Sequence, residues 1–180
     1  MNLSRVRYRI HQFIRALWAS ADPEELASAQ TILTPEQMAL FKRMQPGEQA
    51  HALSVYSQLV AHGETVPDLL VAALLHDVGK SCHPLRLWER VLIVLARAIL
   101  PKQAGRWGNS SPQPVARRFW TRPFVIAEQH PAWGADLAAS VGASPRAVAL
   151  IRLHQDSPSS VTDVEVKRLL VKLQAVDDHT

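Results

Sequence analysis

The stretch Leu69-Leu70-Val71-Ala72-Ala73-Leu74-Leu75-His76-Asp77-Val78-Gly79-Lys80 decides how this chain is read. An unbroken apolar run ends in a histidine beside an aspartate. Pro67 and Asp68 give the run a helix start and Gly79 gives it a stop, with His76 and Asp77 in the last turn. A helix that is apolar nearly all round should be buried. An imidazole and a carboxylate at its end are then costly unless they meet a strong partner. A divalent metal ion, which accepts nitrogen and oxygen donors together, is such a partner.

Further donors lie on the neighbouring helices. A helix runs from Pro46-Gly47 to about His62, with Gly63 as its stop, and puts His51 on one face with Val55, Gln58 and Leu59. Phe124 to Gln129 reads as a short apolar helix, and His130-Pro131 starts another that runs to about Val141. Pro145 to His154 is a helix with Val148, Ile151 and His154 at three-residue steps. Thr162-Asp163-Val164-Glu165 forms a capping box for a last helix, where Val166, Leu170, Leu173 and Asp177 share a face. Asp178 lies ~100° off that face, which makes Asp177 the inward carboxylate. A lone histidine on an apolar face is usually a satisfied core residue. Here four histidines and two aspartates fall on inward faces or helix ends of successive helices. His51, His76, Asp77, His130, His154 and Asp177 therefore read as one metal site.

The totals fit a helical domain. The chain has 180 residues, 47% hydrophobic and 20% charged, with 7 glycines and no alternating strand pattern, so the expected class is all-α in a single domain. The formal charge of +4 and the pI of about 9.6 favour anionic partners without specifying nucleic acid. The one cysteine, Cys82, excludes an internal disulfide framework and fits a reducing, cytoplasmic setting. Arg15 interrupts the apolar run before Ala19-Ser20-Ala21, which argues against a signal peptide. Val91 to Leu100 contains Arg97 and falls short of the ~20 residues of a membrane span.

The other segments are simpler. Val6, Ile10, Phe13, Ile14 and Leu17 form an amphipathic helix, for packing at the domain edge or for a membrane surface. Asp22-Pro23 starts a second helix. Thr34-Pro35-Glu36-Gln37 is a capping box, after which Met38, Phe41 and Met44 face inward. His83-Pro84 starts a helix ending before Pro101, with an apolar stripe of Trp88, Val91, Leu92, Leu95 and Ile99 and a basic side of Arg86, Arg90 and Arg97. Residues 101–123 are rich in Pro, Gly, Ser and Asn and carry Arg106, Arg117, Arg118 and Arg122. They read as a mobile loop, either solvated surface or a cationic lid over an anionic substrate.

The ordered set His51 … His76-Asp77 … Asp177 resembles the signature of the HD superfamily of metal-dependent phosphohydrolases. Leu74-Leu75-His76-Asp77-Val78-Gly79-Lys80 is close to that family's central motif. His130-Pro131-Ala132-Trp133-Gly134 resembles the His-Pro-x-x-Gly element of its dinuclear members, and His154 stands at the place of their fourth histidine. The resemblance covers roughly residues 46–178. It implies an HD-type bundle of about five core helices, with residues 1–45 as an N-terminal helical extension and 83–122 as an insertion. It further implies two divalent ions, iron or manganese before zinc, magnesium or nickel. His51, His76 and Asp177 would hold one ion, His130 and His154 the other, and Asp77 would bridge them.

The implied activity is hydrolysis of a phosphomonoester or phosphodiester, of nucleotide type, by metal-activated hydroxide. Asp77 and Lys80 would be the catalytic residues, with Lys80 contacting a phosphate oxygen; a solvated cation at a helix end is the alternative for Lys80. The expected partner is a small phosphorylated substrate. No specific nucleic acid is expected, and the basic amphipathic helices allow peripheral membrane contact. A di-iron oxygenase and a non-catalytic signalling domain are the other functions this fold allows. After His154 the chain reads Gln155-Asp156-Ser157-Pro158, which lacks the Gly-Tyr-Pro element of the class that cleaves a cyclic dinucleotide.

Overall fold

Proline at the first or second position opens seven of the nine α-helices found among the described residues. Its fixed φ suits the first turn, where a missing N–H costs nothing. The computed structural model describes residues 23–108 and 119–178. The helices are α1 (Pro23–Ile32), α2 (Pro35–Phe41), α3 (Pro46–Ala61), α4 (Pro67–Leu75), α5 (Leu87–Ile99), α6 (Pro101–Gly108), α7 (Arg122–Ser140), α8 (Pro145–Leu153) and α9 (Val164–Asp177). Short 3₁₀ turns cover Val78–Cys82 and Pro158–Ser160, and no strand occurs among the described residues. The expected helix at Val6–Leu17, the Asp22 cap, Arg117 and Arg118 lie outside the described residues.

α4 is the axis of the bundle. Every side chain from Leu69 to Leu75 is buried, against α3, α8 and α9. Phe41, Leu53, Leu59, Leu150 and Leu170 are among the fully buried residues of the same core. Burial of each such side chain contributes about 1.5–3 kcal/mol. Met38, Phe41 and Met44 join this core, as their spacing predicts, so α1 and α2 pack into it directly. A smaller core joins Leu85, Ile93 and Ala96 to Phe124, Ile126 and Ala127 of α7.

Several local expectations are corrected. α4 stops at Leu75, not Gly79. His76 is its C-cap, and Asp77 sits at φ −93°, ψ 0°, in the sparsely populated bridge region. The chain then tightens into a 3₁₀ turn, in which the Lys80 N–H donates to the Asp77 carbonyl at 3.0 Å. Pro131 does not begin a helix. It lies inside α7, which runs unbroken through it, and its missing N–H forfeits the bond to the Ala127 carbonyl. Residues 101–108, expected in a loop, are helical from Pro101.

α5 is turned differently from its expected stripe. Glu89, Ile93 and Ala96 face α7, while Trp88 and Ile99 are exposed. The cause is electrostatic. Glu48 and Glu89 are buried and need cations, so Arg90 turns inward to Glu48 at 2.6 Å, and Arg122 pairs with Glu89. Arg122 is thereby removed from the cationic surface expected of the 101–123 segment.

The cap of α9 also differs. Asp163, not Thr162, is the N-cap, and its carboxylate accepts from the Glu165 and Val166 N–H groups, both at 2.9 Å. Asp163→Ala is expected to cost about 1 kcal/mol. Thr162→Ala should be near neutral; urea denaturation of the two variants separates the two caps.

Candidate metal centre

Five helices deliver the six expected donors to one place. His51 comes from the middle of α3 and His130 from the middle of α7. His76 and Asp77 leave the end of α4, His154 caps α8, and Asp177 is the last residue of α9. His51 Nε2 lies 2.8 Å from Asp177 Oδ1, and His76 Nε2 lies 3.5 Å from the same oxygen. Asp77 stands between two groups. Its Oδ2 is 3.7 Å from His76 Nε2, and its Oδ1 is 3.2 Å from His130 Nε2 and 3.9 Å from His154 Nε2. Two ligand triads result, His51–His76–Asp77 and Asp77–His130–His154, each with its donor atoms within 4.8 Å of one another.

The backbone sets the tautomers. The Nδ1 of His76 is bonded to the Ala73 carbonyl at 2.9 Å, that of His130 to Ile126 at 3.1 Å, and that of His154 to Ile151 at 2.8 Å. An Nδ1–H that donates to a carbonyl leaves the Nε2 lone pair facing inward. These carbonyls belong to preceding turns of the same helices, so the ring directions follow from helix geometry. His130 Nε2 and His154 Nε2 then face each other at 3.3 Å. Two lone pairs that close repel unless a cation sits between them. His76 Nε2 is buried and has no hydrogen-bond partner. A buried ring nitrogen left without a partner beside converging nitrogens and carboxylates fits a metal ligand set, in which a bound cation would take the place of the ring proton, and the mixed donors suit a first-row divalent ion.

The electrostatics follow from the same contacts. Burial alone would lower the His76 pKa, but the Asp77 and Asp177 carboxylates outweigh it and raise the value to about 9. Burial, reinforced by the His76 charge, pushes His154 down to about 3. Burial also depresses His130, although Asp77 opposes the shift. Burial disfavours both carboxylates, yet Lys80 and His76 hold Asp77 far below its usual range, and His76 and His51 do the same for Asp177.

These shifts set a pH dependence for the metal-free protein. His76 keeps its proton on folding, so its stabilisation is present below pH 6.5 and lost as pH rises towards about 9. His154 stays neutral on folding, so its stabilisation is present above pH 6.5 and lost as pH falls towards about 3. With chelator present, the urea midpoint should therefore peak near neutrality and fall on both sides. A midpoint that stays flat from neutral to alkaline pH would contradict the charged His76.

Lys80 donates to Asp77 Oδ2 at 2.5 Å, so it is not a freely solvated cation at a helix end. A cleft of about 930 Å³ opens beside the centre, with His154 and Asp177 in its wall. The other charged residues of that wall are Glu128, Asp156, Asp178 and Arg152, and Arg152 pairs with Asp136 at 2.6 Å. Sequence reasoning missed two supports. Gln174 donates to the His154 and Asp156 carbonyls, each at 2.8 Å, and so fixes the turn after α8. Gly79 and Gly134 let the 3₁₀ turn lie directly on α7: a Cβ on Gly79 would be 2.0 Å from the His130 carbonyl oxygen. The small residue in the His-Pro-x-x-Gly element was the only sequence signal for that contact.

An all-α fold with a buried, Asp77-bridged pair of His/Asp triads has the metal centre of a metal-dependent enzyme, with capacity for two divalent ions and a form consistent with hydrolysis. The cluster matches the dinuclear metal motif of the HD superfamily. Comparison with family models, curated proteins and solved structures finds no match to this chain.

Proposed function

We propose that this protein hydrolyses a small phosphoester of nucleotide type at the Asp77-bridged centre. The observation that carries this reading is the convergence of six donors on one point, with Asp77 shared by both triads. Two divalent ions bound there would supply Lewis acidity and lower the pKa of a water molecule. In this reading His51, His76 and Asp177 would hold one ion, and His130 and His154 the other. Manganese or iron suits this nitrogen-rich set with carboxylates.

Asp77 keeps the two halves in register. Lys80, beside it and 24% exposed, can turn its ammonium to a phosphoryl oxygen as a point charge. The cleft wall carries more acidic than basic side chains, so attraction of an anionic substrate falls to the bound cations and Lys80. The cleft volume lies within the ~300–1,000 Å³ of small-molecule sites.

The test begins with metal analysis of the purified protein. A panel of nucleotides and phosphodiesters follows, with Asp77→Ala as the control. Turnover by wild type but not by the variant supports the assignment; equal turnover by both removes it.

A further inference from the structure

α5 leaves large apolar side chains exposed at both of its ends, where a solvated helix should be polar. Leu87 is 55% exposed and Ile99 60% exposed, and Leu100 follows at the helix end at 42%. Trp88 shares the face of Ile99 and stacks on Phe119 with ring centroids 5.2 Å apart; Phe119 meets Trp120 at 5.3 Å. Trp120 is 72% exposed. Neither core uses these side chains, and folding gains nothing from exposing them together.

The charge around them is one-sided. Residues 83–127 hold eight Lys or Arg and one acid, a net +7; the whole chain nets +4, which leaves −3 for the remainder. That single acid, Glu89, is buried against Arg122. Arg86, Lys102 and Arg106 are exposed.

We propose that this face, comprising α5, the start of α6 and Phe119–Trp120, docks on an anionic lipid surface. Bulky aromatics and aliphatics enter the headgroup–acyl boundary while the flanking cations meet lipid phosphates. Charge complementarity selects this occupant. A second copy docking through the same face would oppose two segments of like charge. Residues 1–22, with Arg5, Arg7, Arg9 and Arg15 against Asp22, are also basic. Single-stranded nucleic acid would use the cations and rings but gives Leu87, Ile99 and Leu100 no apolar phase to enter.

The test is sedimentation of the full chain with phosphatidylcholine vesicles, with and without phosphatidylglycerol, alongside tryptophan emission. Binding should need phosphatidylglycerol, weaken with salt and shift the emission to the blue. Lys102→Ala/Arg106→Ala should lower partitioning roughly thirtyfold. Trp88→Ala/Trp120→Ala should lower it about tenfold or more. These are exposed positions, and an unchanged circular dichroism melt shows that each variant folds. The proposal is overturned by absence of vesicle binding, by equal binding to neutral vesicles, or by partitioning that the folded variants leave unchanged. Self-association through this face, or oligonucleotide binding in place of vesicle binding, also overturns it.

Discussion

Gly79→Ala is expected to destabilise the protein by more than about 4 kcal/mol, the range of severe core lesions. The added Cβ would lie 2.0 Å from the His130 carbonyl oxygen, 2.7 Å from the Gly134 nitrogen and 2.9 Å from the His130 carbonyl carbon. All three are backbone atoms, and none can rotate away. The 3₁₀ turn must then lift off α7. That movement separates Asp77 from His130, so metal binding should fail with stability. Gly134→Ala is the milder lesion, because its Cβ would meet its nearest neighbours at 3.1–3.5 Å; it should cost about 1–3 kcal/mol. Gly105→Ala on α6 is the control, with open space around it and a small gain from helix propensity expected. Urea denaturation ranks the three. A Gly79→Ala protein within about 1 kcal/mol of wild type would disprove the close contact.

Asp77→Ala should abolish turnover while leaving the cleft in place. Asp77 is the one residue common to both triads. Its removal takes the bridging anion from both positions, whereas His154→Ala or Asp177→Ala weakens one. Catalytic divalent ions contribute several kcal/mol to barrier lowering. The expected loss is therefore about a thousandfold or more in kcat/KM. Asp77→Asn, of the same shape, separates this loss from misfolding. Asp178→Ala, which alters an exposed carboxylate on the cleft wall, should retain the ability to bind metal.

Much of this arrangement was legible in the sequence because helix geometry is local. The apolar run at 69–75 marked the buried axis, and Pro23, Pro35, Pro46 and Pro145 open helices where they were expected, whereas the helix expected from His83-Pro84 begins only at Leu87. Inward faces then followed from the 3.6-residue period, which brought out His51, His154 and Asp177 from their apolar neighbours. What failed was non-local. The inward turn of Arg90 depends on Glu48, which is 42 residues away. Hydrophobic spacing alone therefore assigned α5 a stripe that the fold leaves partly exposed. Pro131 read as a helix start because its effect on one bond is local, while the packing that carries α7 through it is not. The seat of Gly79 on α7 could be seen only once both elements were placed. The same holds for Lys80, whose contact with Asp77 depends on the 3₁₀ turn.

Anomalous diffraction from crystals grown with manganese tests the central claim most directly. Two peaks are predicted, one on each side of Asp77, the first within ligand distance of His51, His76 and Asp177 and the second of His130 and His154. An absence of density at Asp77, or manganese held elsewhere with these side chains unliganded, would contradict the account.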